Sequence, residues 1–371
     1  MEILNDDHQM VADAAAAYLS KSHPITAFRA LRENSAAQGD TRAILTEFAE
    51  LGWMGILLPE EVDGADFGAR AAGVIAEEIG RNLTVAPFLS TAVLSASLLR
   101  QTGGTALSEW GAKIASGAAI VALALEEGAK HRPGRITTTL TQTGDSLTLT
   151  GRKSFVVDGS GADRLIVVAQ SVEGLALVLV DPAAKGCVIT PQLLLDQRNA
   201  ALVHLDEVSV PKGAVLATGA AAQKALDHAL CLGRAVAAAE QLGVAKAAAE
   251  QTFEYLRTRK QFGLLIGQFQ ALQHRAADLN CELEQTSSLI ARALNAIDAG
   301  SEEAEALSRA AKAKMAHVGQ QATEEGVQMH GGIGMTDEMD LGLFMKRDRA
   351  LTEFLGDAGC HTEWLLRHRG I

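Results

Sequence analysis

The stretch "AAAQKALDHALCLGRAVAAAEQLGVAKAAAEQTFEYLRTR" (220–259) has no proline and no cluster of turn residues. It reads as one helix of roughly 30 residues or more, longer than about 45 Å at about 1.5 Å per residue. A helix of that length spans a bundle of similar helices rather than a small domain. "FQALQHRAADLNCELEQTSSLIARALNAID" (269–298) and "SEEAEALSRAAKAKMAHVGQQATEEGVQMH" (301–330) read as two more. Residues 219–371 are therefore expected to form an α-helical bundle.

Working toward the N-terminus, the period changes. "RITTTLTQTGDSLTLTGRKSFVVDGSGADRLIVVAQ" (135–170) has short, alternating, β-branched runs split by "TGDS", "TG" and "DGSGAD", which is turn chemistry. "LALVLVD", "CVITP" and "LVHLDEVSV" continue the pattern. Residues 126–218 are expected to form a mostly antiparallel β domain. Residues 1–125 read as helices again: apolar residues recur at three- and four-residue steps in "DDHQMVADAAAAYLSKS", and one helix is expected to end at Gly52. "ARAAGVIAEEIGRNL" and "TAVLSASLLRQTG" are further helices. The fold class is α+β, in the order helices, sheet, helices, and no internal repeat shows at a fixed period.

The 371 residues suffice for a large core. The net charge of −12 and the lack of a long basic stretch argue against nucleic acid as a partner. The start, "MEILNDDHQMVADAAAAYLSKSH", lacks the basic region and apolar block of a signal peptide. No uncharged apolar run approaches the roughly 18 residues of a membrane span. Cys187, Cys231, Cys281 and Cys360 are scattered without metal-ligand spacing. A reduced cytoplasm is the expected location, with no metal and no membrane insertion.

The segment "YLRTRKQFGLLIGQFQALQHRAADL" (255–279) carries Arg-x-Gln-Phe-Gly, then Phe-Gln, then His and Ala-Asp. This resembles a signature of the acyl-CoA dehydrogenase family. "QMHGGIGMTDE" (328–338) followed by Arg347-Asp348 resembles the family's second signature, and "GWMGILLPEE", "ALEE" and "GRKSFVVDGSGAD" sit at matching places. The resemblance covers nearly the whole chain. It implies N-terminal helices, a middle antiparallel β-barrel-like domain and a C-terminal four-helix bundle. It also implies FAD, acyl-CoA as substrate, an electron-transfer flavoprotein as electron acceptor, and a tetramer built as a pair of dimers.

By that resemblance, Arg259, Gln261 and Phe262 reach the FAD of a neighbouring subunit, and Gln328, Gly331 and Gly332 meet its adenosine-pyrophosphate end. Arg259 suits a phosphate through its fork of donors, and glycines permit close backbone approach. Leu125, Phe155 and Val157 match the flavin wall. Here the chain departs from the family, with Val157 where Thr is usual and Glu126-Glu127-Gly128 where Thr-Glu-Pro is usual.

The implied reaction removes a proton from the carbon next to a thioester, which needs polarising donors and a desolvated carboxylate. Aligned from Arg347-Asp348, Gly356 occupies the place of the family's usual glutamate, and Gly233 the place of the alternative one, just before Arg234. Both usual bases are absent. Asp357 is the candidate base by position; as the residue before "AGCHTEWLLRH" it also reads as a helix N-cap. Glu240, seven residues beyond Gly233, is the other carboxylate considered, and Arg234 is a candidate substrate contact. His330 and His361 read first as structural. The "LGDAGCH" arrangement is similar to smaller subunits of a branch that forms two-plus-two heterotetramers. The expected activity is FAD-dependent desaturation of an acyl-CoA to a trans-2-enoyl-CoA, by a homotetramer or an α2β2 heterotetramer. The alternatives are an impaired or FAD-supporting subunit of such a heterotetramer, and a flavin monooxygenase or nitroalkane oxidase on the same scaffold.

Overall fold

The computed structural model describes residues 4–34, 42–144 and 146–371. Three points of the sequence reading lie outside the described residues: the first three residues, Thr41 ahead of one expected helix, and Asp145 in the "TGDS" turn. The chain divides into two compact units that do not follow the three sequence segments. One takes in Asn34–Gly68 and Val85–Gly233; the other joins Met1–Glu33, Ala69–Thr84 and Arg234–Ile371.

The first unit holds the sheet. Helices α1 (Asp6–Ser22) and α2 (Ile25–Glu33) precede it in sequence and belong to the other unit; α3 (Arg42–Glu50) opens this one. Gly52 follows α3 at φ +75°, the left-handed position that ends a helix at low cost for glycine. After α4 (Gly68–Arg81) come three short helices, α5 (Ala96–Thr102), α6 (Gly104–Ala106) and α7 (Ala112–Ala115). The strands are β1 (Val121–Ala124), β2 (Thr139–Thr143), β3 (Ser146–Val157), β4 (Arg164–Ser171), β5 (Gly174–Val180), β6 (Cys187–Leu193), β7 (Asn199–Val210) and β8 (Val215–Thr218). They form one sheet in the order β6-β7-β3-β2-β4-β5-β8, with β1 on β4. Its core is β-branched and leucine side chains that alternate along the strands, such as Leu149, Val167, Val178, Val203 and Leu205.

Most pairings are antiparallel, as expected, but the sheet departs from an antiparallel barrel in two respects. β1 and β2 both run parallel to β4, so the sheet is mixed, and its end strands β6 and β8 do not pair among the described residues. The β2–β3 hairpin is part of the connection from β1 to β4, and parallel partners require such a long crossover.

One lysine is wholly buried in this unit. Lys153 on β3 donates to the Leu125 carbonyl (3.1 Å) and the Glu127 carboxylate (2.7 Å). Glu127 also accepts from the backbone N–H and hydroxyl groups of Thr137 and Thr138, at 2.6–2.9 Å. Burial works to raise the Glu127 pKa, but Lys153 and the two threonines outweigh it and bring it to about 2.

The second unit is helical. The forty-residue α8 (Gly219–Thr258) is about 60 Å long and enters this unit at Arg234. Residues 229–245 are buried without interruption, as for the central helix of a bundle. A short hairpin, β9 (Lys260–Gln261) and β10 (Leu264–Leu265), leads to α9 (Gln270–Asp298), α10 (Ala304–His330), α11 (Leu341–Glu353) and α12 (Ala358–His368). α4 crosses α8 at two facing glycines: a β-carbon on Gly80 would strike the Glu240 carbonyl, and one on Gly243 the Glu77 carbonyl. Arg347 on α11 reaches Glu240 (2.9 Å) and the carbonyls of Leu83 and Thr84 beyond α4.

Two outcomes follow from this packing. Gly243→Ala places a methyl against backbone that cannot yield, and is expected to cost about 1–3 kcal/mol, the usual range for overpacking, read as a lower denaturant midpoint at unchanged slope. Glu127→Gln leaves Lys153 charged and buried, and is expected to cost about 3 kcal/mol, the lower end for stripping one partner from a buried pair. Because the Glu127 pKa is depressed from 4.5 to about 2, its stabilisation is complete above pH 4.5 and fades as pH falls toward 2. The stability gap between wild type and Glu127→Gln in urea should therefore narrow across that window; a gap constant with pH would refute the assignment.

Candidate active site

In the helical unit, two motifs far apart in sequence meet. The end of α8 and the β9–β10 hairpin pack on the end of α10 through Leu256, Ile266 and Met329, with Tyr255 and Phe269 alongside. Tyr255 stacks on His330 with centroids 4.2 Å apart. His330 is buried, its Nδ1 donates to the Gly326 carbonyl at 2.7 Å, and burial lowers its pKa. It serves as a packed, neutral joint between the two motifs.

The hairpin turn is Phe262-Gly263, with φ of +53° and +82°, the left-handed pair that a two-residue hairpin loop demands. Phe262 is 91% exposed, although phenylalanine rarely takes this conformation and rarely faces water. Arg259 and Gln261 beside it are exposed, and Arg259 has no carboxylate partner among the described residues. Across the joint, α10 ends at Gly331, whose φ of +66° and ψ of −139° suit glycine alone. Gly331, Gly332 and Gln328 are exposed, and a β-carbon on either glycine would meet no atom within 4 Å. An unpaired arginine, an open glycine backbone and a displayed aromatic ring fit the pyrophosphate and adenosine of a dinucleotide supplied from outside the chain.

The segment from α11 to α12 is tightly held. Leu355 (φ +58°) and Gly356 (φ +108°) turn the chain, and Phe354, Leu355 and Gly356 are buried. Lys312 on α10, wholly buried, donates to the carbonyls of Leu351 (2.7 Å), Thr352 (3.1 Å) and Gly356 (3.4 Å). Burial brings its pKa down to about 8, against the pull of Asp348, Glu353 and Asp357. His361, also wholly buried, donates from Nε2 to the Gly356 carbonyl at 3.0 Å. Asp357, half-buried, is the N-cap of α12, its Oδ1 accepting from the Cys360 N–H at 2.8 Å.

Arg234 and Glu240 are occupied within the bundle. Arg234 is 1% exposed and pairs with Glu305 at 2.5 Å. Glu240 is 3% exposed, and its carboxylate is engaged by Arg347. Asp348, next to Arg347, accepts from the Gln241 amide at 2.8 Å, and burial raises its pKa to about 6.

In the sheet unit, Leu125 and Val157 are buried and Phe155 is half-buried. Phe155 stands at φ +51° within a bulge, where β3 slips against β7 between Lys153 and Val156. The bulge turns the strand and re-aims the side chain. The Ser154 N–H donates to the Glu126 carbonyl (2.8 Å) and its hydroxyl to the Gly128 carbonyl (3.0 Å). Leu125, Phe155 and the Glu126-Glu127-Gly128 segment are thereby assembled at one end of β3. Sequence reasoning missed Lys153, Lys312, Gln241 and Tyr255. A lone lysine among alanines or in a strand carries no local signal of burial.

Residues 5–118 match the model of the acyl-CoA dehydrogenase N-terminal domain, and residues 221–368 that of the C-terminal domain. The chain is 30% identical to the 3-(aryl)acrylate reductase of Clostridium sporogenes, over 79% of this chain and 81% of that protein. It is 28% identical to the acyl-CoA dehydrogenase IpdE2 of Mycobacterium tuberculosis, over 94% of this chain and 93% of that one. Among solved structures, a variant of the Tcur3481–Tcur3483 steroid ACAD superposes with a TM-score of 0.88 at 27% identity, over 98% of both chains. The chain belongs to the acyl-CoA dehydrogenase family, flavoprotein oxidoreductases that act on the CH–CH bond of acyl-CoA thioesters.

Proposed function

We propose that this chain is an FAD-dependent acyl-CoA dehydrogenase that converts an acyl-CoA to its trans-2-enoyl-CoA and passes electrons to an electron-transfer flavoprotein. The observation that carries the reading is the joint made by Tyr255 and His330, which brings the Arg259–Phe262 hairpin beside the Gly331-Gly332 turn. FAD, when bound, accepts the hydride from the β-carbon. Arg259 pairs with its phosphates, and the open Gly331-Gly332 backbone with Gln328 receives its adenosine end. All of these groups face outward, so the FAD they hold is a neighbouring subunit's, as in a pair of dimers. In the sheet unit, Leu125, Phe155 and Val157 wall the flavin; with Val157 in place of a hydroxyl residue, backbone amides supply the donors. Asp357 takes the α-proton.

A second reading is favoured by the same loop. Gly356 and Gly233 stand where the family's bases are, and Asp357 is committed to capping α12 in a segment pinned by Lys312 and His361. In that reading the chain supports FAD in an α2β2 heterotetramer whose partner subunit supplies the base. The chain purified alone separates the two: yellow protein bleached anaerobically by an acyl-CoA supports the first, and protein that bleaches only with a homologous partner supports the second.

Asp357→Asn is expected to keep the fold and the flavin, because Asn caps about as well as Asp. It removes the base, so anaerobic flavin reduction by substrate should slow by at least about a hundredfold. Reduction at the wild-type rate would place the base elsewhere. Arg259→Ala is expected to release flavin and weaken dimer-level assembly, read as the flavin-to-protein absorbance ratio after gel filtration. Full flavin content in that variant contradicts the cross-subunit role.

A further inference from the structure

Lys312 stands in "SRAAKAKMAHVG" (308–319) on α10, and its neighbours one turn away, Ser308 and Ala316, are small and buried. Its stem therefore lies inside the bundle, and its ammonium group reaches the turn between α11 and α12. There it donates to the carbonyls of Leu351 (2.7 Å), Thr352 (3.1 Å) and Gly356 (3.4 Å). The Gly356 carbonyl also takes the His361 Nε2 at 3.0 Å. That carbonyl belongs to the peptide unit joining Gly356 to Asp357. A peptide unit is planar, so fixing its oxygen fixes the direction in which the chain leaves for the Asp357 Cα. An ammonium group carries three N–H donors and meets three carbonyls here, whereas a neutral amine carries two. The charged groups that act on Lys312 come from three helices. Asp348 and Glu353 on α11 and Asp357 at the start of α12 favour the ammonium form, and Arg234 on α8 opposes it. His361 shares the Gly356 carbonyl, and Glu282 of α9 pairs with Lys314 instead.

We infer that Lys312 is a positioning residue for α-proton transfer. As an ammonium ion it holds the Gly356–Asp357 peptide in the orientation that aims the Asp357 carboxylate at the substrate, and as a neutral amine it lets that peptide go. The inference rests on the reading that Asp357 takes the α-proton, and adds to it an upper pH limit for the reaction. Burial brings the Lys312 pKa from the usual 10.5 to about 8, so the release is expected at mildly alkaline pH. The sign separates positioning from stability. Between about pH 8 and 10.5 the unfolded chain keeps a proton that the folded chain has lost, so this titration raises folding stability while the rate falls.

The test follows anaerobic flavin reduction against pH in flavin-loaded protein. The probe is the fastest-bleaching member of a panel of straight-chain, branched and aryl acyl-CoA thioesters. If bleaching needs a homologous partner subunit, the profile is measured on that complex. The wild-type rate is expected to fall by about tenfold to a hundredfold above pH 8, the range for losing a charged hydrogen bond. Glu353→Gln, at a half-buried position, removes a charge that favours the ammonium form, so the fall should begin at lower pH. Lys312→Met is expected to be slow at every pH, to show no fall near pH 8, and to saturate at the wild-type acyl-CoA concentration. Its stability gap to wild type in urea should shift in favour of wild type as pH rises above 8. Should Lys312→Met not fold, the wild-type and Glu353→Gln profiles decide. A wild-type rate that stays level above pH 8, a fall that Glu353→Gln leaves in place, or a Lys312→Met profile like wild type overturns the positioning role. Asp357→Asn keeps the two readings apart. Its reduction at the wild-type rate overturns Asp357 as the base, and slow reduction beside a level wild-type profile overturns Lys312 alone. Protein bleached by no thioester, alone or with a partner, overturns the acyl-CoA reading and this inference with it.

Discussion

The ammonium group of Lys312 is the constraint on which the Asp357 end of the helical unit depends. It lies wholly inside the bundle and gathers the last carbonyls of α11 together with that of Gly356. The Leu351 and Thr352 carbonyls lie in the last turn of α11, beyond the reach of its own N–H groups, and a buried carbonyl left unmet costs about 1–3 kcal/mol. One lysine meets this need for three residues and, in the same act, fixes where α12 begins. The neighbouring polar groups extend the arrangement. Asp348 lies so close to Gly319 that a β-carbon there would strike its carboxylate, and Gln241 of α8 donates to the same carboxylate oxygen. Arg347 bonds Glu240 of α8 and the chain beyond α4. The Arg347-Asp348 pair therefore does structural work: it registers α11 against α8, α10 and the segment that follows α4.

This arrangement explains why some of the molecule was legible and some was not. Helices α8, α9 and α10 were plain in the sequence because alanine, leucine and charged residues run for long stretches without a breaker. The strands were plain because β-branched residues alternate between turn clusters. The parallel pairing of β1 and β2 with β4 was hidden, since alternation reports a strand and says nothing of its partner. The division into units was hidden too, because α4 joins the helical unit only through contacts distant in sequence, such as Gly80 on Glu240. Lys312 and Lys314 show the limit most sharply. They stand two positions apart in an unremarkable run, and about 200° apart around the helix, so one is sealed in the core and the other pairs with Glu282.

At the candidate site, residue types were legible and their conformations were not. The hairpin and glycine motifs were read as neighbours of a dinucleotide through the family resemblance, and the fold does bring them together around His330. Asp357 was read both as base and as cap, and the cap is present. Gly356 at φ +108° marks a bend the backbone must make, not freedom to move. With Lys312 and His361 both on the Gly356 carbonyl, any swing of Asp357 must either break buried hydrogen bonds or be confined to its side chain.

Backbone strain falls where these arguments converge. Four apolar residues among those described hold the left-handed conformation: Leu83, Phe155, Phe262 and Leu355. Each costs roughly 1–2 kcal/mol and persists only where its surroundings over-determine it. Leu83 presents its carbonyl to Arg347, and Leu355 turns the chain into Gly356 and Asp357. Phe155 sits in the bulge beside Leu125 and Glu126, and Phe262 forms the tip of the Arg259 hairpin. For Leu83 and Leu355, buried hydrogen bonds and packing supply the compensation within the chain. Phe155 is half-buried in a bulge, and Phe262 is 91% exposed, its conformation set by the β9–β10 pairing and its ring touching only the edge of Phe269 among aromatic rings. A conformation that costs energy and displays an aromatic ring makes sense when the ring is covered by something the chain binds, which is the role proposed above for the hairpin.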